Sequence, residues 1–157
     1  MHILLGMLAV WVLTGSYPLR AGTPYDKIDM ELKFLEKSCR DMLVKEMNIR
    51  NSIDSLQKRI AYNVPVKPNH NDRRAAVRIA REQGAVVGQA TRVLRLLEKD
   101  AAVAFPEVFR QLRDDMRRAQ IRLKRGDISR ARRNVNEDAI EVLREMLSAL
   151  VKGHTCR

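Results

Sequence analysis

The stretch IDMELKFLEKSCRDMLVKEMNIRNSIDSLQKRI, residues 28–60, places apolar side chains at alternating steps of four and three residues. Such steps put the side chains on one face of an α-helix, and a repeat of this length is typical of helices packed against other helices. Glu46 is the one member of this seam that is not apolar. The full seam is Ile28, Leu32, Leu35, Cys39, Met42, Glu46, Ile49, Ile53, Leu56 and Ile60.

Capping and helix-breaking residues bound this first helix. Thr23 can cap its start, Pro24 suits the first helical position, and Pro65 and Pro68 cannot continue it. We therefore predict a helix over 24–62 and a loop within NVPVKPNHND, residues 63–72. At 1.5 Å per residue this helix would be roughly 58 Å long. It requires a partner, either other helices of the chain or, by self-association, a second copy.

The same spacing predicts three further helices, over 72–98, 106–125 and 128–151. The alternating apolar and polar pattern of strands is not found. The sequence thus predicts an all-α fold, in which long antiparallel helices form a helical bundle or coiled coil over residues 23–151, with a tail at 152–157. The three seams are Ala76, Ile79, Gln83, Val86, Ala90, Val93 and Leu97; Phe105, Phe109, Leu112, Met116, Ala119 and Leu123; and Ile128, Val135, Ala139, Val142, Met146 and Ala149, widened by Ile140, Leu143, Leu147 and Leu150.

The segment AVAFPEVFRQLRDDM, residues 102–116, carries two of the three phenylalanines on either side of Pro106. Phe105 and Phe109 continue a helical seam, and a proline forbids helix in the preceding turn. We interpret the segment as a joint between two helices. The alternative is a pocket for an apolar ligand or a partner helix, formed by the two rings.

The N-terminus has the pattern of a secretory signal peptide. ILLGMLAVWVL, residues 3–13, is an apolar run too short to span a membrane, and helix-breaking and small residues follow it. We predict that residues 1–22 are a signal peptide and that the protein is periplasmic or secreted. An uncleaved signal-anchor and a buried N-terminus of a cytosolic protein are the alternatives. Cleavage would remove Arg20, so the net charge would fall by one from +11 to +10.

Positive charge is concentrated late in the chain, with ten Lys or Arg against four acidic residues over 106–133. On a helical hairpin these cations would form a surface for an acidic protein or an anionic envelope surface. They would suit nucleic acid if the protein is not exported. The alternative is a solvated helical face. The candidate patch consists of Arg110, Arg113, Arg117, Arg118, Arg122, Lys124, Arg125, Arg130, Arg132 and Arg133.

Residue patterns typical of catalysis are not found. His70 and His154 lie outside any recognised nucleophile or zinc motif, and a glycine-rich phosphate loop is lacking. Asp114 and Asp115 would point about 100° apart on a helix, so we expect them to be solvated and paired with Arg110, Arg118 or Arg122. The sequence predicts a protein that is not an enzyme and has no cofactor or metal.

The two cysteines, Cys39 and Cys156, are a candidate disulfide if the protein is exported. An up-down-up-down bundle would bring the C-terminus towards the N-terminal half of the first helix, where Cys39 lies. Two free thiols and an intermolecular bond are the alternatives, because Cys39 could lie too deep for a short tail to reach.

The motifs AVAFPE (102–107), RDDM (113–116) and EDAIEVLREMLSAL (137–150) resemble an uncharacterised family of exported helical proteins from planctomycete bacteria. The resemblance covers roughly residues 85–150. This chain lacks the family's glycine before AVAFPE and is richer in arginine than the acidic relatives. The resemblance implies export and an all-helical fold, and it supplies no catalytic residues.

These observations favour a non-enzymatic exported helical protein that is a structural or protein-interaction element of the cell envelope. The alternative is a basic helical module that binds nucleic acid or an anionic membrane surface.

Overall fold

A computed structural model describes residues 24–63, 67–100 and 106–155. Every regular element in these ranges is helical, which confirms the all-α prediction. The elements are α1 (Pro24–Ala61), α2 (His70–Asp100), α3 (Pro106–Arg125), α4 (Ile128–Arg133), a π-helical segment (Asn134–Ile140) and α5 (Glu141–Thr155). The predicted signal peptide, Phe105 and Cys156 lie outside the described residues, as do residues 102–104 of the predicted joint.

The helices form a closed ring. α1 packs against α2 on one side and against α4, the π segment and α5 on the other, while α3 packs against α2, α4 and the π segment. Pairs of contacts show that successive rods run antiparallel. Between α1 and α2, Glu46 bonds to Gln83 and Arg59 bonds to Asp72. Arg110 pairs with Glu98 and Gln120 lies beside Gly84 between α2 and α3, while Arg122 bonds to Asn134 and Asp115 lies near Asp138 between α3 and the π segment. The described residues therefore form an up-down-up-down bundle of four helical rods, the last of which consists of α4, the π segment and α5.

The predicted seam of α1 faces the core. Its members from Leu35 to Leu56, Glu46 included, are buried, and the end members Ile28, Leu32 and Ile60 are half-buried. Burying each large apolar side chain contributes about 1.5–3 kcal/mol. The predicted seam of α2 is buried from Ala76 to Val93, with Leu97 half-buried. The predicted seam of α3 is buried from Phe109 to Leu123. Phe109 is thus a core residue, as the joint interpretation requires.

A capping box begins α2. The Asn69 side chain accepts a hydrogen bond from the Asp72 backbone N–H at 2.9 Å, and Asp72 accepts one from the Asn69 N–H at 2.9 Å. This reciprocal arrangement satisfies two backbone donors that a helix start leaves without partners. It explains why α2 begins at His70, two residues before the predicted start. The hydrogen bond from the Asn69 N–H, aided by Arg59 and Asn63, lowers the pKa of Asp72 despite its burial.

The π segment was not predicted. A π-helix forms hydrogen bonds five residues apart, so it adds a residue to a turn and rotates the following helix. Beyond it, Leu143, Met146 and Leu150 are buried, whereas Val142 is half-buried and Ala149 is exposed. The prediction of Ala149 as a core residue was therefore wrong. The rod is helical to Thr155, four residues past its predicted end.

Candidate functional site

Net charge is distributed unevenly around the bundle. Residues 70–125, which contain α2 and α3, carry fourteen Lys and Arg against seven Asp and Glu, a net charge of +7. Residues 24–63 carry eight against seven, and residues 127–155 carry five of each. Because α2 and α3 are neighbours in the ring, the positive charge lies on one side of the molecule.

Most of the predicted patch is engaged by the protein's own groups. Arg110 pairs with Glu98 at 2.7 Å and Glu107 at 2.5 Å, and Arg113 pairs with Asp114 at 2.8 Å. The other engaged cations and their partners are Arg118 with Asp115, Arg122 with the side chain of Asn134, Arg130 with Asp127, and Arg132 with Asp54. Arg133 is engaged as well. The ion pairs with carboxylates neutralise much of the patch, and on α4 Arg130 and Arg132 are offset by Asp127 and Asp54.

Arg117, Lys124 and Arg125 remain exposed and have no acidic partner among the side chains that the structure describes. Six exposed arginines of α2 share this property. They were not predicted as functional, because the predicted patch was limited to residues 106–133. The predicted helix over 72–98 already contained these six arginines, so the same count made there would have found them. We call the nine residues the basic face: Arg73, Arg74, Arg78, Arg81, Arg92, Arg95, Arg117, Lys124 and Arg125.

Asp115 is not solvated as predicted. Its side chain lies between α3 and the π segment, 5% of the residue is exposed, and Arg118 approaches it at 3.2 Å. Burial raises the pKa of Asp115, Arg118 opposes the shift, and the carboxylates of Asp138 and Asp114 add to it. Beside it, Arg122 donates to the Asn134 side chain at 2.5 Å, and Asn134 donates to Asp138. This polar cluster links α3 to the π segment.

Groups that could perform catalysis or hold a metal are dispersed. His70 is exposed at the start of α2, and the side chain of His154 lies outside the described residues. Among the described residues, no three His, Cys, Asp or Glu side chains form a group that could hold a metal ion. Within the same ranges, no helix is both long and apolar enough to cross a membrane.

Cys39 is fully buried and is bonded to no other residue that the structure describes. Burial raises its pKa to about 12, so the thiol stays protonated and is a poor nucleophile at neutral pH. The proposed partner, Cys156, lies outside the described residues, so the disulfide remains a prediction.

Thiol titration of denatured, unreduced protein should find two free thiols per chain, since a bond would require the C-terminal residues to enter the core at Cys39. A monomer with no titratable thiol would show instead that Cys39 and Cys156 are joined. A covalent dimer with thiols missing would show an intermolecular bond.

Comparison of the chain with protein-family models, curated proteins and solved structures finds no match. The resemblance to the planctomycete family therefore stays a prediction.

Proposed function

We propose that the protein is a non-enzymatic, exported helical bundle that acts as a structural or protein-interaction element of the cell envelope. In this proposal the basic face binds an acidic partner protein or an anionic envelope surface. The observation that carries the proposal is the net charge of +7 on the α2–α3 hairpin, together with nine exposed cations that lack acidic partners among the described side chains.

The size of the basic face supports a macromolecular partner. Arg73 and Arg95 lie 22 residues apart on one helix, a distance of about 33 Å. Arginine forms paired hydrogen bonds with carboxylates and phosphates and is more weakly hydrated than lysine. An extended row of such groups suits an extended anionic surface.

Export rests on the apolar run at residues 3–13 and on the resemblance, so the compartment decides between the two functional candidates. The same basic face would suit nucleic acid in a cytosolic protein. Sequencing the N-terminus of the protein purified from its native cells, after cell fractionation, tests this point. A cytosolic protein that retains residues 1–22 would contradict the envelope proposal and favour nucleic-acid binding.

Replacing Arg81, Arg95, Arg117 and Lys124 with glutamine should weaken binding to polyglutamate and to phosphatidylglycerol vesicles by at least about tenfold. The reason is the loss of four uncompensated charges, whose attraction is screened over about 8 Å at physiological ionic strength. Binding should be measured by titration at low and physiological salt, with circular dichroism to verify the fold. Wild-type affinity should fall as salt rises.

A matched control replaces Lys33, Lys37, Arg40 and Lys58 on α1 with glutamine. This variant loses the same formal charge from exposed side chains outside the basic face. It should bind within about twofold of wild type at physiological salt, where screening limits distant charges. Equal losses in the two variants would mean that net charge alone matters, and would contradict a role for the basic face.

A further inference from the structure

A polar cleft lies between α1 and α2, close to the loop that joins them. One part, of about 300 Å³, is lined by Ser52, Ser55, Arg59 and Arg78 among others. The adjoining part, of about 340 Å³, is lined by Arg59, Asn71, Arg74, Ala75 and Arg78. The two parts share Arg59, Ala75 and Arg78, so they form one cleft with three arginines in its wall.

Arg59 is held in place by a buried carboxylate. Its Nε donates to Asp72 Oδ1 at 2.7 Å, and Asp72 is 1% exposed. Asp72 is fixed in turn by the Asn63 side chain and the Asn69 backbone N–H, both at 2.9 Å. The bond to Asp72 occupies Nε of Arg59, while the two Nη groups of Arg59 have no partner among the described residues. A guanidinium oriented in this way loses little conformational entropy when an anion binds.

Arg74 and Arg78 supply the other two guanidinium groups. They are one helical turn apart on α2, so they lie on the same side of the helix. Both are exposed, and neither has an acidic partner among the described side chains. None of the residues that line the cleft is acidic. With Asp72 behind Arg59, the three arginines leave the cleft with a net charge of about +2.

We propose that this cleft binds the phosphate group of a phosphomonoester, either a soluble one or a lipid headgroup. A phosphomonoester carries a charge of about −1.5 to −2 at neutral pH and three acceptor oxygens, which matches the charge and the donors of the cleft. Guanidinium groups bind phosphate oxygens through pairs of parallel hydrogen bonds. A carboxylate, with a single charge and two oxygens, would leave part of this donor set unused. The site is local and does not depend on export or on a protein partner.

The test is calorimetric titration of the full chain with inorganic phosphate at low salt. Wild type should show saturable binding to one site per chain. Replacing Arg74 and Arg78 with glutamine should weaken that binding by at least about tenfold, because charged hydrogen bonds are lost at two of three guanidiniums. These two residues are chosen over Arg59, whose replacement would also disturb the buried Asp72.

The matched control replaces Arg92 and Arg95 with glutamine, which removes the same charge from the same helix outside the cleft. Its phosphate affinity should stay within about twofold of wild type. Absence of saturable phosphate binding in wild type, with no binding to phosphatidic acid vesicles either, would overturn the proposal. Equal losses in the two variants would also overturn it, since a diffuse charge effect would then suffice.

A lipid arm distinguishes the two sources of phosphate. Vesicles containing phosphatidic acid present a phosphomonoester, whereas vesicles of equal charge containing phosphatidylglycerol present a diester. A preference for phosphatidic acid that is lost in the Arg74→Gln, Arg78→Gln variant supports the site with a headgroup as ligand. Phosphate binding in solution without that preference supports the site with a soluble ligand. The variant of the basic face that replaces Arg81, Arg95, Arg117 and Lys124 leaves Arg74 and Arg78 unchanged. A failure of the proposed function of the basic face can therefore be distinguished from a failure of the proposed phosphate site.

Discussion

Replacing Glu46 with glutamine should stabilise the protein at neutral and alkaline pH and remove most of the dependence of its stability on pH between 5 and 8. Glu46 lies in the core with 0% exposure, and the Gln83 side chain donates to its Oε1 at 2.5 Å. Burial raises the pKa of Glu46 to about 8, and the hydrogen bond from Gln83 only partly opposes this shift.

The sign of the effect follows from the two states of the chain. A glutamate in the unfolded chain titrates near pH 4.3, whereas Glu46 in the folded chain keeps its proton to about pH 8. Between these values the unfolded state has released a proton that the folded state retains. The free energy of unfolding therefore falls by about 1.4 kcal/mol for each pH unit in this window. The stabilisation from Glu46 is fully present below its pKa in the unfolded chain. It is lost progressively as the pH rises through its pKa in the folded chain.

The hydrogen bonding of Glu46 and Gln83 also favours a protonated Glu46 in the folded chain. Glu46 Oε2 and Gln83 Oε1 are buried and have no partner when the carboxyl group is ionised, because both atoms are then acceptors. A proton on Oε2 would supply a donor for the free Gln83 oxygen. Glutamine at position 46 would supply such a donor at every pH, so the two amides could bond reciprocally.

Chemical denaturation at pH 5, 6, 7 and 8 measures this prediction. Wild type should lose stability steadily across the series, and the Glu46→Gln variant should show a much flatter profile. Glu145→Gln, which removes an exposed carboxylate from α5, is the control and should follow wild type. If the Glu46→Gln profile falls as steeply as that of wild type, Glu46 does not retain its proton in the folded chain.

Truncating Phe109 to alanine should lower the free energy of unfolding by about 3–5 kcal/mol, the usual cost of removing a buried aromatic ring. Phe109 is 0% exposed and is among the largest fully buried side chains. The loss would be a large share of the roughly 5–15 kcal/mol that stabilises a typical domain.

Val108→Ala is the matched control for Phe109→Ala, because Val108 is the preceding residue and is 40% exposed. It should cost less than about 1 kcal/mol. Equilibrium unfolding in urea measures both variants. A small loss of unfolding free energy in Phe109→Ala would contradict the role of Phe109 as a core residue. It would favour the alternative interpretation of this joint as a ligand pocket.

The sequence was informative wherever structure follows from local periodicity. The seam through Glu46 and the seam through Gln83 were both predicted, polar members included, because a helical face repeats every three or four residues. The contact between Glu46 and Gln83 depends on the antiparallel register of α1 and α2, which no local pattern encodes. Arg59 of α1 and Arg78 of α2 line the same cleft for the same reason.

The remaining errors also come from contacts between distant residues. Asp115 is buried because the π segment packs against α3, and the π segment itself rotates the face that α5 presents. A heptad analysis assumes an uninterrupted α-helix, so it assigned Ala149 to the core. The predicted basic patch was wrong for a different reason. Residues 106–133 do not form one surface, because packing pairs Arg130 and Arg132 of α4 with Asp127 and Asp54, whereas the cations of the basic face lie on α2 and α3.

The uneven charge of the bundle gives it an electric dipole moment perpendicular to its long axis, with the positive end at the α2–α3 hairpin. In the field of an anionic surface the molecule would turn during diffusion, so that this hairpin makes the first encounter, and the fraction of productive collisions would rise at low salt. The opposite flank, formed by α1 and α5, would then face away from that surface. A molecule held in this orientation has two unlike flanks, one anchored by charge and the other free to contact a second protein.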